Sequence, residues 1–292
     1  MSTETTVAGV AIPRPDKQLY PGIIKRDVAD YYADIAEHML PHLSGRPLNM
    51  QRFPDGIDGE GFYEKRLPDH FPDWVGSTTV ETADGPQRQV VVDDARTLVH
   101  LAGQACLTPH TWLSRVPELG RPDQLVFDLD PSDGDLALVR RAARAVADLL
   151  DSVGLSSYLK TTGSRGYHVL VPLQPEEDFD SVRAFARRAA DLVAEQEPGS
   201  FTTEQRKDKR GDRVFFDVLR NGYGQTAVPP YALRARPGAP VATPIDWDEL
   251  SRVEPDRFTI ESVRRRLRQR EDPWRGVRRH AQKLARARQR LG

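Results

Sequence analysis

The sequence predicts an α+β fold with a split βαβ core, on the strength of three observations. From Gln124 onward, short apolar runs alternate with longer segments in which apolar residues recur every three to four positions. The runs and segments follow one another in the order β-α-β-β-α-β. Both longer segments open beside an aspartate able to cap a helix.

The chain justifies this element by element. Residues 1–16 contain prolines and no periodicity, and read as an extended arm. Helical spacing begins near Arg26, with Val28, Tyr31, Tyr32, Ile35 and Met39 on one face and Pro41 expected to end the helix. Residues 49–80 are rich in Gly, Pro, Asp and aromatics, which predicts loops and short strands. QLVFDL, from Gln124, is the first strand of the core. Asp133 reads as a turn residue, and Asp135 as the cap of a helix carrying Leu138, Val139, Ala142, Val146 and Leu149. LSSYLK and YHVLVPL are two further strands. Asp180 is expected to cap a second helix bearing Val182, Phe185, Ala189 and Leu192, and VFFDVL is the fourth strand. The expected division is an N-terminal module over 1–120 and a second module over 121–292 that ends in a basic tail.

Composition narrows the function. Lys and Arg total 42 against 43 Asp and Glu, a net charge of −1 that argues against a histone-like coating protein but leaves room for a local basic groove. No stretch approaches the ~20 apolar residues of a membrane span. The opening MSTETTVAGV lacks the basic and apolar blocks of a signal peptide, so the expectation is a cytoplasmic protein with no membrane partner. Cys106 is the only cysteine, which excludes an intrachain disulfide and a cysteine-rich zinc site. The charge is unevenly spread. Residues 264–292 hold eleven Arg and one Lys against Glu271 and Asp272. Trp274, Val277, Leu284 and Leu291 supply an apolar stripe there, so the tail is expected to dock on one side and present a basic face to DNA on the other.

Three carboxylates stand out. Asp128 and Asp130 are two apart at the end of an apolar strand and therefore share a face. Two carboxylates so placed repel unless a cation lies between them, and hard oxygen ligands suit Mg²⁺ or Mn²⁺. Asp217 lies in the apolar VFFDVL, where desolvation is costly unless the charge is paired or metal-bound. In a split βαβ sheet the first and last strands can be neighbours, which would bring Asp217 to the other two. Read singly, FDLDPSD is also an ordinary strand-to-turn signal, and Asp217 an edge-strand residue.

The loop TTGSRGYH joins two of the strands. Gly163 and Gly166 permit a tight turn and close backbone approach, Ser164 and Arg165 can donate to phosphate, and His168 follows at the start of the next strand. On the loop alone, a plain hairpin with a satisfied histidine is the more economical reading.

Taken together, FDLDPSD, GSRGYHVLVPL and VFFDVLRNGYGQTAVPPYALRARPGAPVATPIDWDEL resemble the archaeo-eukaryotic primase superfamily, most closely the polymerase domain of bacterial ligase D. The similarity runs from PRPDKQLYPG to REDPW. It implies an RNA-recognition-motif-like catalytic core packed against a second small α/β module. It also implies two divalent ions, Mn²⁺ or Mg²⁺, held by Asp128, Asp130 and Asp217. Ser164, Arg165, Gly166 and His168 match positions that bind the incoming NTP or dNTP. His110 in CLTPHTW, and Arg234 and Arg236 in ALRARPG, match residues close to the nucleotide. Lys17 and Lys25 match basic residues that grip the 5′ phosphate of a DNA end or gap, and Phe62 and Tyr63 an aromatic pair that stacks on template bases.

Two departures stand against the pattern: LYPGIIK is shorter than usual, and Arg14 replaces a polar amide. The resemblance implies a repair primase-polymerase in non-homologous end joining, with Ku and an ATP-dependent DNA ligase as partners, here a stand-alone paralogue or an isolated domain. The alternatives are a catalytically inactive nucleic-acid-binding module of the same fold and a metal-dependent phosphohydrolase.

Overall fold

The computed structural model describes residues 5–131 and 135–292, so Asp133 lies outside the described residues. Two sheets organise a mixed α/β architecture. The first is built from β1 (Pro47–Arg52), β2 (Phe62–Glu64), β3 (Ser77–Thr82), β4 (Gly85–Val91) and β5 (Cys106–Trp112). The second contains β6 (Gln124–Asp130), β7 (Tyr158–Thr161), β8 (Tyr167–Pro172), β9 (Phe201–Thr202) and β10 (Val214–Asp217). The chain then returns to the first sheet as β11 (Thr226–Ala227) beside β5, and to the second as β12 (Pro244–Ile245) beside β7. The strand orders are β11-β5-β1-β4-β3, with β2 also on β1, and β9-β10-β6-β8-β7-β12.

Alternation along β6 explains its position at the centre of the second sheet. Leu125, Phe127 and Leu129 belong to the main hydrophobic cluster, together with Val139, Ala142 and Val146 of α3 (Leu136–Ser152) and Phe185 and Ala189 of α4 (Phe179–Gln196). Val126 joins a separate cluster with Leu113, Ala227, Trp274 and Val277. Side-chain alternation along a strand therefore sets Asp128 and Asp130 on the face opposite the helices.

Buried polar contacts tie distant parts of the chain together. α1 (Lys25–Leu43) packs on α2 (Ala95–Gly103), and the α1 tyrosines bond outward: the Tyr31 hydroxyl donates to the Tyr231 carbonyl at 2.8 Å and the Tyr32 hydroxyl to the Leu107 carbonyl at 2.6 Å. Asp123, just before β6, receives Arg46 at 2.6 Å and Arg115 at 2.8 Å.

Several expectations need correcting. The arm is a short hairpin, Thr6–Val7 with Val10–Ala11, because Val7, Val10 and Ile12 are buried. Pro41 does not end α1, which continues to Leu43 with the proline inside its last turn. The cap of α4 is Asp178, whose carboxylate accepts from the Ser181 N–H at 2.8 Å, whereas Asp180 sits in the first turn and pairs with Arg183. The last core strand stops at Asp217 and turns at once into a single 3₁₀ turn, Leu219–Asn221. Asp135 caps α3 as expected, accepting from Leu138 N–H at 3.0 Å. Trp274, Val277, Leu284 and Leu291 are buried, as the docking stripe required. The tail is α5 (Ile260–Gln269), a 3₁₀ turn and α6 (Ala285–Leu291). Among the described residues no helix is long and apolar enough to cross a membrane.

Candidate active site

Strand register lines up four charged or titratable residues in one row. Lys160 of β7 is opposite His168 of β8, His168 opposite Asp128 of β6, and Asp128 opposite Asp217 of β10. The row is bonded: His168 Nε2 lies 3.2 Å from Asp128 Oδ1. On the other side, Arg220 Nε is 3.2 Å from Asp128 Oδ2 and 3.4 Å from Asp217 Oδ2. Asp130 stands one pleat further along β6, opposite Phe215.

The glycine loop forms the adjoining wall. Thr162 closes it: its Oγ1 donates to the Gly166 carbonyl at 2.9 Å and accepts from the Ser164 and Gly166 amides at 3.2 and 3.3 Å. Gly163 has φ +65° and donates its N–H to the Pro255 carbonyl at 2.9 Å. Gly166 is needed for a different reason. A Cβ there would lie 1.9 Å from the Leu129 carbonyl oxygen, so the loop can approach β6 only without a side chain. Arg234 donates to the Thr162 carbonyl at 2.8 Å, and Arg236 donates to Ser164 Oγ.

These elements enclose a cleft of about 430 Å³ lined by Tyr63, His110, Asp128, Asp130, Thr162, Ser164, Arg165, His168, Arg220 and Arg234. Asp217 borders it through Arg220, and Arg236 through Ser164. Phe62, Lys17 and Lys25 lie outside its walls. Phe62 and Tyr63 are exposed on β2, with Arg52 over the Phe62 ring and the Tyr63 ring against His110. Lys17 is paired with Asp55 at 2.6 Å. Lys25 is buried and donates to the Pro13 carbonyl at 2.9 Å.

Sequence reading passed over Arg220 and Lys160. Arg220 carried one usable signal, its place three residues after Asp217. Lys160 carried another, a lone lysine in an apolar strand.

The electrostatics follow from burial and from this row. Burial raises the pKa of Asp128, but His168 and then Arg220 outweigh it and hold the carboxyl below its usual range. Burial, and then the charge of Asp128, push Asp130 up to about 6. Asp217 is also raised, by burial first, against the opposing pull of Arg220. Burial and then Lys160 push His168 down to about 4, so near neutrality it is an uncharged imidazole beside Asp128. Burial and then Arg234 bring Lys160 down to about 7, and its ammonium has no hydrogen-bond partner among the described residues.

The donor chemistry fits divalent cations. Three hard carboxylates face one region, two of them with pKa values raised partly by their neighbours' negative charge. Among the described residues no three His, Cys, Asp or Glu side chains are yet gathered as a coordination group. Both Asp128 oxygens are engaged, one by His168 and one by Arg220. The Arg220 guanidinium stands between Asp128 and Asp217.

The profile of the family described as "LigD, primase-polymerase domain" matches residues 24–274. The multifunctional non-homologous end joining DNA repair protein LigD of Mycobacterium tuberculosis H37Rv is 37% identical over 252 residues, covering 82% of this chain and 33% of that protein. The bifunctional non-homologous end joining protein LigD of Bacillus subtilis is 33% identical over 253 residues, covering 86% of this chain and 41% of that protein. The chain thus spans well under half the length of these relatives. The solved polymerase domain of Mycobacterium tuberculosis ligase D in complex with DNA superposes with a TM-score of 0.86 at 34% identity, covering 94% of this chain and 99% of that one.

Proposed function

Since the chain belongs to the family of LigD primase-polymerase domains, we propose that it adds ribonucleotides or deoxyribonucleotides to DNA ends and gaps in non-homologous end joining. The observation that carries this is the convergence of Asp128, Asp130, Ser164, Arg165 and His168 on one cleft, with Asp217 in register beside Asp128. We read residues 121–292 as the catalytic module and 1–120 as the supporting one. The order β10-β6-β8-β7, with α3 and α4 on one face, supports an RNA-recognition-motif-like core.

In this reading Asp128, Asp130 and Asp217 hold two divalent ions, Mn²⁺ or Mg²⁺. When bound, these supply positive charge at the primer 3′ hydroxyl and at the triphosphate. Ser164, Arg165, Arg234 and Arg236 offer hydroxyl and guanidinium donors to the triphosphate, and the Gly166 position lets the loop lie against β6. His168, kept uncharged, orients the Asp128 carboxylate. His110 and Tyr63 form the wall on the side of the first sheet, where Phe62 and Tyr63 can stack on template bases. Lys17 and Lys25 take the 5′ phosphate of the end or gap. Ku and an ATP-dependent ligase are the proposed partners.

The test is incorporation of radiolabelled nucleotide opposite a templated gap, with Mn²⁺ and with Mg²⁺. Asp128→Ala, Asp130→Ala and Asp217→Ala are each expected to abolish extension while DNA binding in a mobility-shift assay persists, because binding rests on phosphate contacts elsewhere. Near-normal extension by any one of them would remove that residue from the site. Ribonucleotides are expected to be accepted at least as well as deoxyribonucleotides.

A further inference from the structure

The turn after β10 carries a cation that the proposed mechanism leaves without a role. Asp128 and Asp217 face each other across paired strands, and like charges so placed repel. The Arg220 guanidinium bridges them, 3.2 Å from one and 3.4 Å from the other. The backbone presenting it is fastened down. Leu219 N–H donates to Asp217 Oδ1 at 2.9 Å. The fully buried Asn221 donates through Nδ2 to the Val126 and Val218 carbonyls at 2.8 and 2.9 Å, and its Oδ1 accepts from the Val126 N–H at 2.8 Å. The Arg220 side chain itself is 40% exposed and lines the cleft. The turn is therefore fixed to the central strand, while the guanidinium is partly open to solvent.

We propose that Arg220 is a built-in counter-cation for the metal site, holding Asp128 and Asp217 together and giving way when a divalent ion takes their oxygens. The proposal rests on the metal reading above. A guanidinium and a divalent ion cannot share the same two carboxylate oxygens, because they overlap and repel. Each ion that enters must first break this pair, which lowers its apparent affinity. Once displaced, the guanidinium remains in the cleft that Ser164 and Arg165 also line, where it adds a planar donor for phosphate oxygens. The same pair keeps the carboxylates from repelling one another before the ion arrives.

The experiment is a titration of the nucleotide-free chain with Mn²⁺, free ion being read by electron paramagnetic resonance. Thermal midpoints are measured with and without the ion. Arg220→Gln is expected to bind Mn²⁺ about fivefold more tightly than the unaltered chain, as suits release from a partly exposed ion pair. Its midpoint should fall without the ion and rise further when the ion is added. Arg220→Lys keeps the charge and is expected to bind Mn²⁺ much as the unaltered chain does. Equal or weaker binding by Arg220→Gln overturns the proposal and leaves the metal site standing. Binding by Arg220→Lys as tight as by Arg220→Gln also overturns it, since charge would not be what competes. Asp217→Asn separates the two readings: if it binds Mn²⁺ as tightly as the unaltered chain, or if no variant binds the ion, the metal reading falls and the proposal with it.

Discussion

Lys25 is the residue whose surroundings say most about the DNA end. Burial, and then the charges of Arg14 and Lys17, lower its pKa to about 8, and its ammonium is held on the Pro13 carbonyl beside the start of α1. A helix start favours anions, and a second lysine stands close by, so a 5′-phosphorylated gap is expected to bind more tightly than a 5′-hydroxyl gap. Lys25 is charged below its pKa and neutral above it. The phosphate advantage should accordingly be full near pH 7 and fade as pH rises through about 8. Lys17→Ala with Lys25→Ala should erase it. Paired titrations on the two gaps check this, and equal affinities in the unaltered chain would make both lysines structural. Gly166 supplies a second prediction at this scale. Gly166→Ala forces a carbon against the Leu129 carbonyl and is expected to cost roughly 3 kcal/mol in urea unfolding. An unchanged midpoint would mean that loop and strand part freely.

Among the elements, the turn after β10 does most to set the site's geometry. The ladder between β6 and β10 ends at Asp128 and Asp217, and Asn221 takes over the Val126 N–H and carbonyl that the departing strand leaves behind. Asn221→Ala would orphan these buried groups, with an expected loss of roughly 2–4 kcal/mol. Because the same turn carries Arg220, nucleotide incorporation should fall with it. Asn221→Asp is expected to fail nearly as badly, since it replaces the donor facing two carbonyls with an acceptor. Thermal unfolding of the two variants tests this, and near-normal midpoints would show that the turn is held by something else. This element was hard to read from sequence. VFFDVL looks like one continuous strand, and only the neighbouring strand's unmet hydrogen bonds show why it breaks at Asp217. The cap of α4 was misplaced for a similar reason: Asp178 and Asp180 are both good caps, and the choice depends on where helix and sheet meet.

At the scale of the whole molecule, the tail joins stability to charge. Trp274 is buried against His42 and Tyr158 and donates its indole N–H to the Leu159 carbonyl at 3.0 Å, so the tail is anchored to the catalytic sheet. Trp274→Ala should lower stability by roughly 3–5 kcal/mol. Replacing the exposed Arg265, Arg268, Arg279 and Arg286 with Gln should leave the unfolding midpoint nearly unchanged. It should also flatten the dependence of log DNA affinity on log salt, by about one unit for each phosphate that the tail no longer neutralises. A salt slope unaffected by the four substitutions would show that the tail serves only to brace the fold.

The sequence by itself determined the βαβ order, the apolar faces and the three aspartates, because periodicity and the cost of placing a carboxylate in an apolar strand are local properties. It also marked Trp274, Val277, Leu284 and Leu291 as a docking stripe, since large apolar residues in a charged tail need cover. Tertiary structure decided what those residues meet. Register set Lys160, His168, Asp128 and Asp217 in one row. Packing buried Lys25 beside the start of α1. The fold also placed Arg220 between two carboxylates that are 89 residues apart in sequence. An arginine three positions after an aspartate reads as a surface ion pair until a second strand brings another carboxylate to its other side, and that pairing across the sheet appears only in the folded chain.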